Sequence, residues 1–118
     1  MYPYYKKDID EGRLTREQAQ EYLDCIWVKL NDINKVRDAA SADGFAGYGM
    51  FQNLIVGGQN VHGMDATNDL SYMCLEAAMH VPLPQPSLSV RVWNGSPQDL
   101  LVKAAALTRL GTGLPAYY

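Results

Sequence analysis

Residues 50–71 read MFQNLIVGGQNVHGMDATNDLS. The apolar run from Phe51 to Val56 is short and almost continuous, and it ends at Gly57-Gly58, which is the pattern of a strand buried on both faces. Strands of that kind belong to parallel sheets, whose crossover connections lay other elements over both faces. After the glycines comes a polar loop. A helix follows from about Thr67 to His80, with Leu70, Met73, Cys74 and Ala77 turned inward at three- and four-residue spacing. A buried strand leading through a short loop into an amphipathic helix is the repeating unit of an α/β fold.

The flanking sequence repeats that unit. Pro82, Pro84 and Pro86 stop the helix and force extended backbone. Residues 87–93, SLSVRVW, then alternate, with Leu88, Val90 and Val92 on one side and Ser87, Ser89, Arg91 and Trp93 on the other, which predicts a strand. Asn94-Gly95 turns the chain. Ser96-Pro97-Gln98-Asp99 supplies a cap, a proline at the first helical position and an acid in the first turn for a helix that runs to Leu110 and stops at Gly111. LPAYY begins a further strand. Upstream, the three glycines of ASADGFAGYG predict a loop. Before it, Thr15-Arg16-Glu17-Gln18 is a capping box opening a long helix. That helix places Ala19, Tyr22, Leu23, Ile26, Trp27, Leu30, Ile33 and Val36 on one stripe, opposite Arg16, Glu17, Glu21, Asp24, Lys29, Asp32 and Lys35. Residues 3–11 form a short helix or turn ended by Gly12. The order helix, strand, helix, strand, helix, strand predicts an α/β sheet built of crossover units.

At 118 residues the chain is one small domain or a piece of a larger one. Its 47% hydrophobic and 19% charged residues are those of a globular protein. The net charge is −3, and Lys6-Lys7 is followed at once by Asp8, Asp10 and Glu11, so neither nucleic acid nor an anionic membrane is an expected partner. The apolar runs fall far short of the roughly 20 residues of a membrane span. The start, MYPYYKKDIDEG, lacks the apolar core of a signal peptide, which makes the cytoplasm the expected compartment. Cys25 and Cys74 are far apart, fit no metal spacing, and lie in helical apolar patterns, so two reduced structural thiols are expected.

The loop GGQNVHG invites a search for chemistry and answers few of its requirements. It has no Lys-Ser or Lys-Thr ending, no GxGxxG, and no Lys or Arg to meet a phosphate. His62 and His80 with Asp65 show no ligand spacing on one helix; His62 reads as a surface loop residue and His80 as a residue near a helix C-terminus. No GxSxG elbow is present. Asn94-Gly95-Ser96 fits a glycosylation sequon and reads as a turn plus cap. Taken on their own, the residues give an α/β segment with no catalytic set and no metal site.

Several stretches together carry more. QAQEYLDCIWVKLNDINKVRD, GYGMFQNLIVGGQ, DATNDLSYMCLEA, QPSLSVRVWNGSP and RLGTGLPAYY, in this order and spacing, closely resemble the interior of glycyl radical enzymes of the pyruvate formate-lyase-like superfamily. The likeness covers essentially the whole chain and is nearest to the lyase and dehydratase branch. It implies that residues 1–118 are part of a ten-stranded α/β barrel. It also implies a glycyl radical, installed by a radical S-adenosylmethionine activase, that passes to a cysteine thiyl which abstracts hydrogen from a small-molecule substrate. The family carries that Cys and a neighbouring Glu in a GCVE-like loop, and the radical Gly in an RVAGY-like loop. Neither loop occurs in this sequence, and neither Cys25 nor Cys74 stands in a matching motif. The resemblance therefore assigns no catalytic residue, bound cofactor or metal here, and the chain is expected to be inactive alone.

One position carries over. The residue matching Phe51 is, in that branch, an aromatic lining the substrate pocket, where an aromatic face suits an apolar or quaternary ammonium group; the plainer reading is a core aromatic of the barrel. Gln52, Asn53, Asp65 and Asn68 are expected to hold loops and helix starts, and Arg91 either anchors a buried acid or does not. The expected activity is cleavage of a C–N or C–O bond of a small alcohol, choline trimethylamine-lyase-like in the first instance. Glycerol or propanediol dehydratase, isethionate sulfite-lyase and formate C-acetyltransferase are the alternatives, and a non-enzymatic structural or binding module is the rival of another class. The implied partners are the remainder of the enzyme, the activase and a second copy in a homodimer, in anaerobic cytoplasm or a bacterial microcompartment.

Overall fold

The computed structural model describes residues 1–33, 36–45 and 52–118. Its elements are α1 (Tyr2–Asp10), α2 (Arg16–Asp32), α3 (Ala39–Phe45), β1 (Asn53–Gly57), α4 (Asp69–His80), β2 (Ser87–Arg91), α5 (Gln98–Arg109) and β3 (Ala116–Tyr117). The three strands form one parallel sheet in the order β1-β2-β3. In register, Asn53 lies beside Ser87, Ile55 beside Ser89, Gly57 beside Arg91, and Ser89 beside Ala116. Each pair of neighbours is joined by a helix, α4 and then α5, as the alternating pattern predicts.

The core lies between this sheet and its helices. Leu88 and Val90 of β2 are fully buried together with Met73, Leu75 and Ala77 of α4 and Leu100, Ala104 and Leu107 of α5. Leu54 and Val56 of β1 pack against the same cluster. Seven of the twelve residues of α4 are buried, because this helix is covered by α2 and α5 as well as by β1. Asn68 starts it with a reciprocal cap: its side chain accepts from Leu70 N at 3.0 Å, and Ser71 Oγ accepts from Asn68 N at 3.2 Å. On α2 the Thr15–Gln18 capping box is formed as expected, with Gln18 N donating to Thr15 Oγ1 and Thr15 N to Gln18 Oε1.

Three expectations are corrected. The long helix ends at Asp32 rather than running to Val36, and Val36 is almost wholly exposed. Its stripe is also narrower than the periodicity suggests: Ala19, Leu23 and Trp27 are buried against α4, whereas Tyr22 and Ile26 remain exposed. Between Ala39 and Phe45 the chain is helical where the glycine content predicts a loop. Three alanines outweigh Gly44 there, and Asp38 accepts a bond from Ser41 N at 3.3 Å, which satisfies an otherwise free donor at the start. Hydrogen bonds from Ser41 hold the Asp38 carboxyl below its ordinary range.

A carboxylate ties the helices. Glu76 of α4 accepts from Lys103 of α5 at 2.7 Å and lies 3.6 Å from Arg16 of α2. Partial burial opposes its ionisation, but the bonds and charges of Lys103 and Arg16 prevail and the carboxyl stays ionised below the usual range. A depressed folded-state value contributes stability that is present above about pH 4.3, the unfolded value, and is lost as the pH falls through the folded one. Glu76→Gln is expected to cost about 1–2 kcal/mol at pH 7. It is also expected to flatten the acid limb of stability against pH. Urea midpoints from pH 3 to 7 check this, and parallel curves for the two proteins would refute it.

Candidate functional site

The sheet has two chemically different faces. Strand alternation directs Leu54, Val56, Leu88 and Val90 toward the helices and leaves Asn53, Ile55, Gly57, Ser87, Ser89 and Arg91 on the other face. Apart from Ile55, half exposed, and Gly57, that second face is polar. Ser89 is 1% exposed at its centre, and its hydroxyl donates to Asn53 Oδ1 across the strands at 3.3 Å. At the N-terminal ends of the strands, Gln52 N donates to Gln85 Oε1 at 2.9 Å and Ser87 N donates to Gln52 O at 2.7 Å. Phe51 lies outside the described residues.

At the C-terminal ends, Gly57 and Gly58 both have φ near +78°, a conformation that glycine adopts without strain. They also leave no room for a side chain: a Cβ on Gly57 would sit 2.9 Å from the Arg91 carbonyl oxygen, and one on Gly58 would sit 3.0 Å from Arg91 Cβ. Arg91 is exposed beside them. The loop beyond is pinned by its own polar side chains, as the sequence leads one to expect. Asn60 Oδ1 accepts from His62 N and Met64 N, at 2.9 and 3.1 Å. Asp65 Oδ1 accepts from Thr67 Oγ1 at 3.0 Å and from the Trp93 indole at 3.3 Å, which fastens the loop to the turn after β2.

Trp93 departs from its expected place. The strand stops at Arg91, and the Trp93 ring leaves the polar face to lie over Gly95, where it leaves no room for a Cβ. Ser96 is not the helix cap; its hydroxyl accepts from Trp93 N at 2.9 Å, and Pro97 holds the cap position. His62 is exposed in its loop, and His80 pairs with Asp24 of α2 at 2.9 Å. Both cysteines are free thiols, but they differ. Cys74 is buried and its thiol is pushed up to about 11 by desolvation, whereas Cys25 is exposed. Cys25 sits next to the α2 seam rather than in it. Among the described residues no three His, Cys, Asp or Glu side chains gather as metal ligands, and no helix is long and apolar enough to cross a membrane. A groove of about 290 Å³ beside the open edge of β1 is lined mainly by apolar groups such as Tyr2, Leu54, Val56 and Leu70, so it offers burial rather than chemistry.

A two-faced parallel sheet, helices on one side and polar groups on the other, fits the wall of an α/β barrel. The family model for pyruvate formate lyase-like proteins matches residues 1–118. The chain belongs to that family. Among solved structures, that of a 1,2-propanediol-dehydrating enzyme of Roseburia inulinivorans is 73% identical with a TM-score of 0.94, covering 99% of this chain and 15% of that one. The glycerol-bound, B12-independent glycerol dehydratase of Clostridium butyricum is 65% identical with a TM-score of 0.91, covering 99% and 14%. An isethionate sulfite-lyase of Oleidesulfovibrio alaskensis is 37% identical over 116 residues, 98% of this chain and 14% of its own length. The chain thus spans about one seventh of the family members it matches. The α/β class and the glycyl radical enzyme assignment hold. The choline-directed activity is not supported by these relatives, which instead include the dehydratases and the sulfite-lyase named as alternatives.

Proposed function

We propose that residues 1–118 are a wall segment of the ten-stranded barrel of a glycyl radical dehydratase acting on a small vicinal diol, 1,2-propanediol or glycerol. The observation that supports this reading is the 73% and 65% identity, at TM-scores of 0.94 and 0.91, to two diol and triol dehydratases along nearly the whole chain. The matched length, 99% of this chain in both cases, takes in Asn53–Gly57 and Ser87–Arg91, the strands whose polar face would bound the substrate. The glycyl radical and the cysteine it oxidises would supply hydrogen abstraction from the diol, and the sequence contains neither the GCVE-like nor the RVAGY-like loop that would bear them. Cys74 does not fit the thiyl role, being buried in the helix layer with its thiol pushed up to about 11. Cys25 lies on α2, which packs on α4 rather than on the sheet.

What this chain contributes is shape and exclusion of water. Its strands would give the lumen a fixed polar wall, and Phe51, which the family resemblance marks as an aromatic lining the substrate pocket, would shield a radical intermediate from side reactions. The rest of the enzyme, a radical S-adenosylmethionine activase and a second copy in a homodimer complete the machinery, in cytoplasm or a microcompartment.

A graft tests this. Residues 1–118 replace the corresponding segment of the Roseburia enzyme, which is then activated without oxygen and assayed with 1,2-propanediol, glycerol and isethionate. Turnover of a diol or triol, with none by the isolated 118-residue chain, is expected. A graft that carries a normal glycyl radical signal yet dehydrates neither would overturn the reading.

A further inference from the structure

We infer that Asn53 is a hydroxyl-binding residue of the substrate pocket and that Ser89 orients it. This rests on the reading above, that the polar face of β1 and β2 bounds the diol. The Ser89 hydroxyl is buried at the centre of that face and donates to Asn53 Oδ1. With the carboxamide oxygen engaged in this way, the bonding capacity left to the Asn53 side chain is chiefly that of its NH2 group. Asn53 itself is exposed, and its two N–H donors have no partner among the described residues. Donors enclosed in a lumen without acceptors are unfavourable, so the wall at this point calls for a ligand carrying oxygen lone pairs.

The chemistry narrows the ligand further. A neutral carboxamide with two adjacent donors matches the oxygens of a neutral alcohol; a quaternary ammonium group offers it nothing to accept with, and a sulfonate calls for a cation. Arg91, the one cation on this face among the described residues, lies four residues along from the Asn53–Ser87 pair, roughly 13 Å away at strand spacing and beyond the reach of a three-carbon diol bound at Asn53. Ile55, one pleat further along the same face and half exposed, supplies an apolar surface for the carbon end of such a diol.

The experiment uses the activated graft. For 1,2-propanediol, Asn53→Ala is expected to raise KM about tenfold, the scale of one lost hydrogen bond, with kcat reduced no more than about twofold. Ser89→Ala is expected to produce a smaller rise of about threefold, and Ser89→Thr, which keeps the hydroxyl, to restore the parent value. A second readout does not depend on turnover: 1-propanol, which lacks one hydroxyl, should compete more weakly than a non-reacting diol in the parent, and Asn53→Ser should narrow that gap. An unchanged KM and an unchanged diol preference overturn the inference while leaving the diol-dehydratase reading intact. Equal losses of kcat, radical signal and solubility in Asn53→Ala and Asn53→Ser overturn it too, since they mark a purely structural residue. A parent graft with a normal radical signal that dehydrates no diol overturns both.

Discussion

Replacing Trp27 with Ala is expected to destabilise the folded chain by about 3–5 kcal/mol. Trp27 is 1% exposed and is the largest fully buried side chain of the core, held on the α2 face that packs against α4. Its removal leaves both the lost transfer of a large aromatic surface and a cavity that two fixed helices cannot close. Against a typical margin of about 5–15 kcal/mol, such a loss consumes a large part of the total. Tyr22 on the same helix is the control: it is 60% exposed, and Tyr22→Ala is expected to change stability by less than about 1 kcal/mol. Urea unfolding followed by far-UV circular dichroism, which does not depend on the indole, separates the two. Coincident midpoints would show that the α2–α4 seam is not where the core is built.

That contrast between Trp27 and Tyr22 marks what periodicity can say. Both belong to one apolar stripe in the sequence, and the spacing correctly makes residues 16–32 a helix. The width of the buried band depends on how many neighbours the helix has, and α2 packs chiefly on one, α4. A single neighbour buries a seam, so Ala19, Leu23 and Trp27 enter it and Tyr22 and Ile26 do not. The same partner draws in a polar residue that no pattern marks: Gln20 is buried because its amide donates to Met73 O at 3.0 Å and to Asp24 at 2.9 Å. The helix at Ala39–Phe45 was hidden for another reason. Three glycines in residues 40–49 favour a loop over the stretch as a whole, while its alanine-rich first half with Asp38 ahead of it carries the helix signal.

At the candidate site, the legible contacts are those made by residues close in sequence. Asn68 as a helix cap and Asp65 as a loop fastener have local signatures, an Asx side chain two or three positions from the group it binds. The Asn53–Ser89 contact spans 36 positions and exists only because β1 and β2 run parallel in one particular register. Likewise, alternation assigns Trp93 to the polar face, but its indole bond to Asp65, 28 positions away, takes it to the loop instead. The family resemblance points to Phe51 by matching a motif, and it has no means of marking a residue such as Asn53, whose inferred role comes from a donor without a partner among the described residues.

Gly57 is the position where backbone, packing and site meet, and Gly57→Ala is expected to cost about 3 kcal/mol. About 1–2 kcal/mol of that comes from holding an L-residue at positive φ, and a further amount of about 1–3 kcal/mol from overpacking. The second part arises because the new methyl would lie 2.9 Å from the Arg91 carbonyl oxygen and 3.1 Å from Leu100 Cδ2. A backbone oxygen in a parallel ladder cannot step aside without disturbing the pairing of β1 with β2. Gly63 provides the comparison, since its φ of +75° is nearly the same but nothing lies within 4 Å of the added carbon. Gly63→Ala should therefore lose only the conformational part, about 1–2 kcal/mol. Thermal or urea unfolding of the two variants measures the difference directly. If they are equally destabilised, φ alone accounts for the glycine at 57; if Gly57→Ala is the worse, as expected, the close approach of β2 and α5 is what excludes a side chain there. In the activated graft the same variant should then also weaken diol binding, because moving β2 at Arg91 shifts the strand that carries Ser89, whereas Gly63→Ala should not.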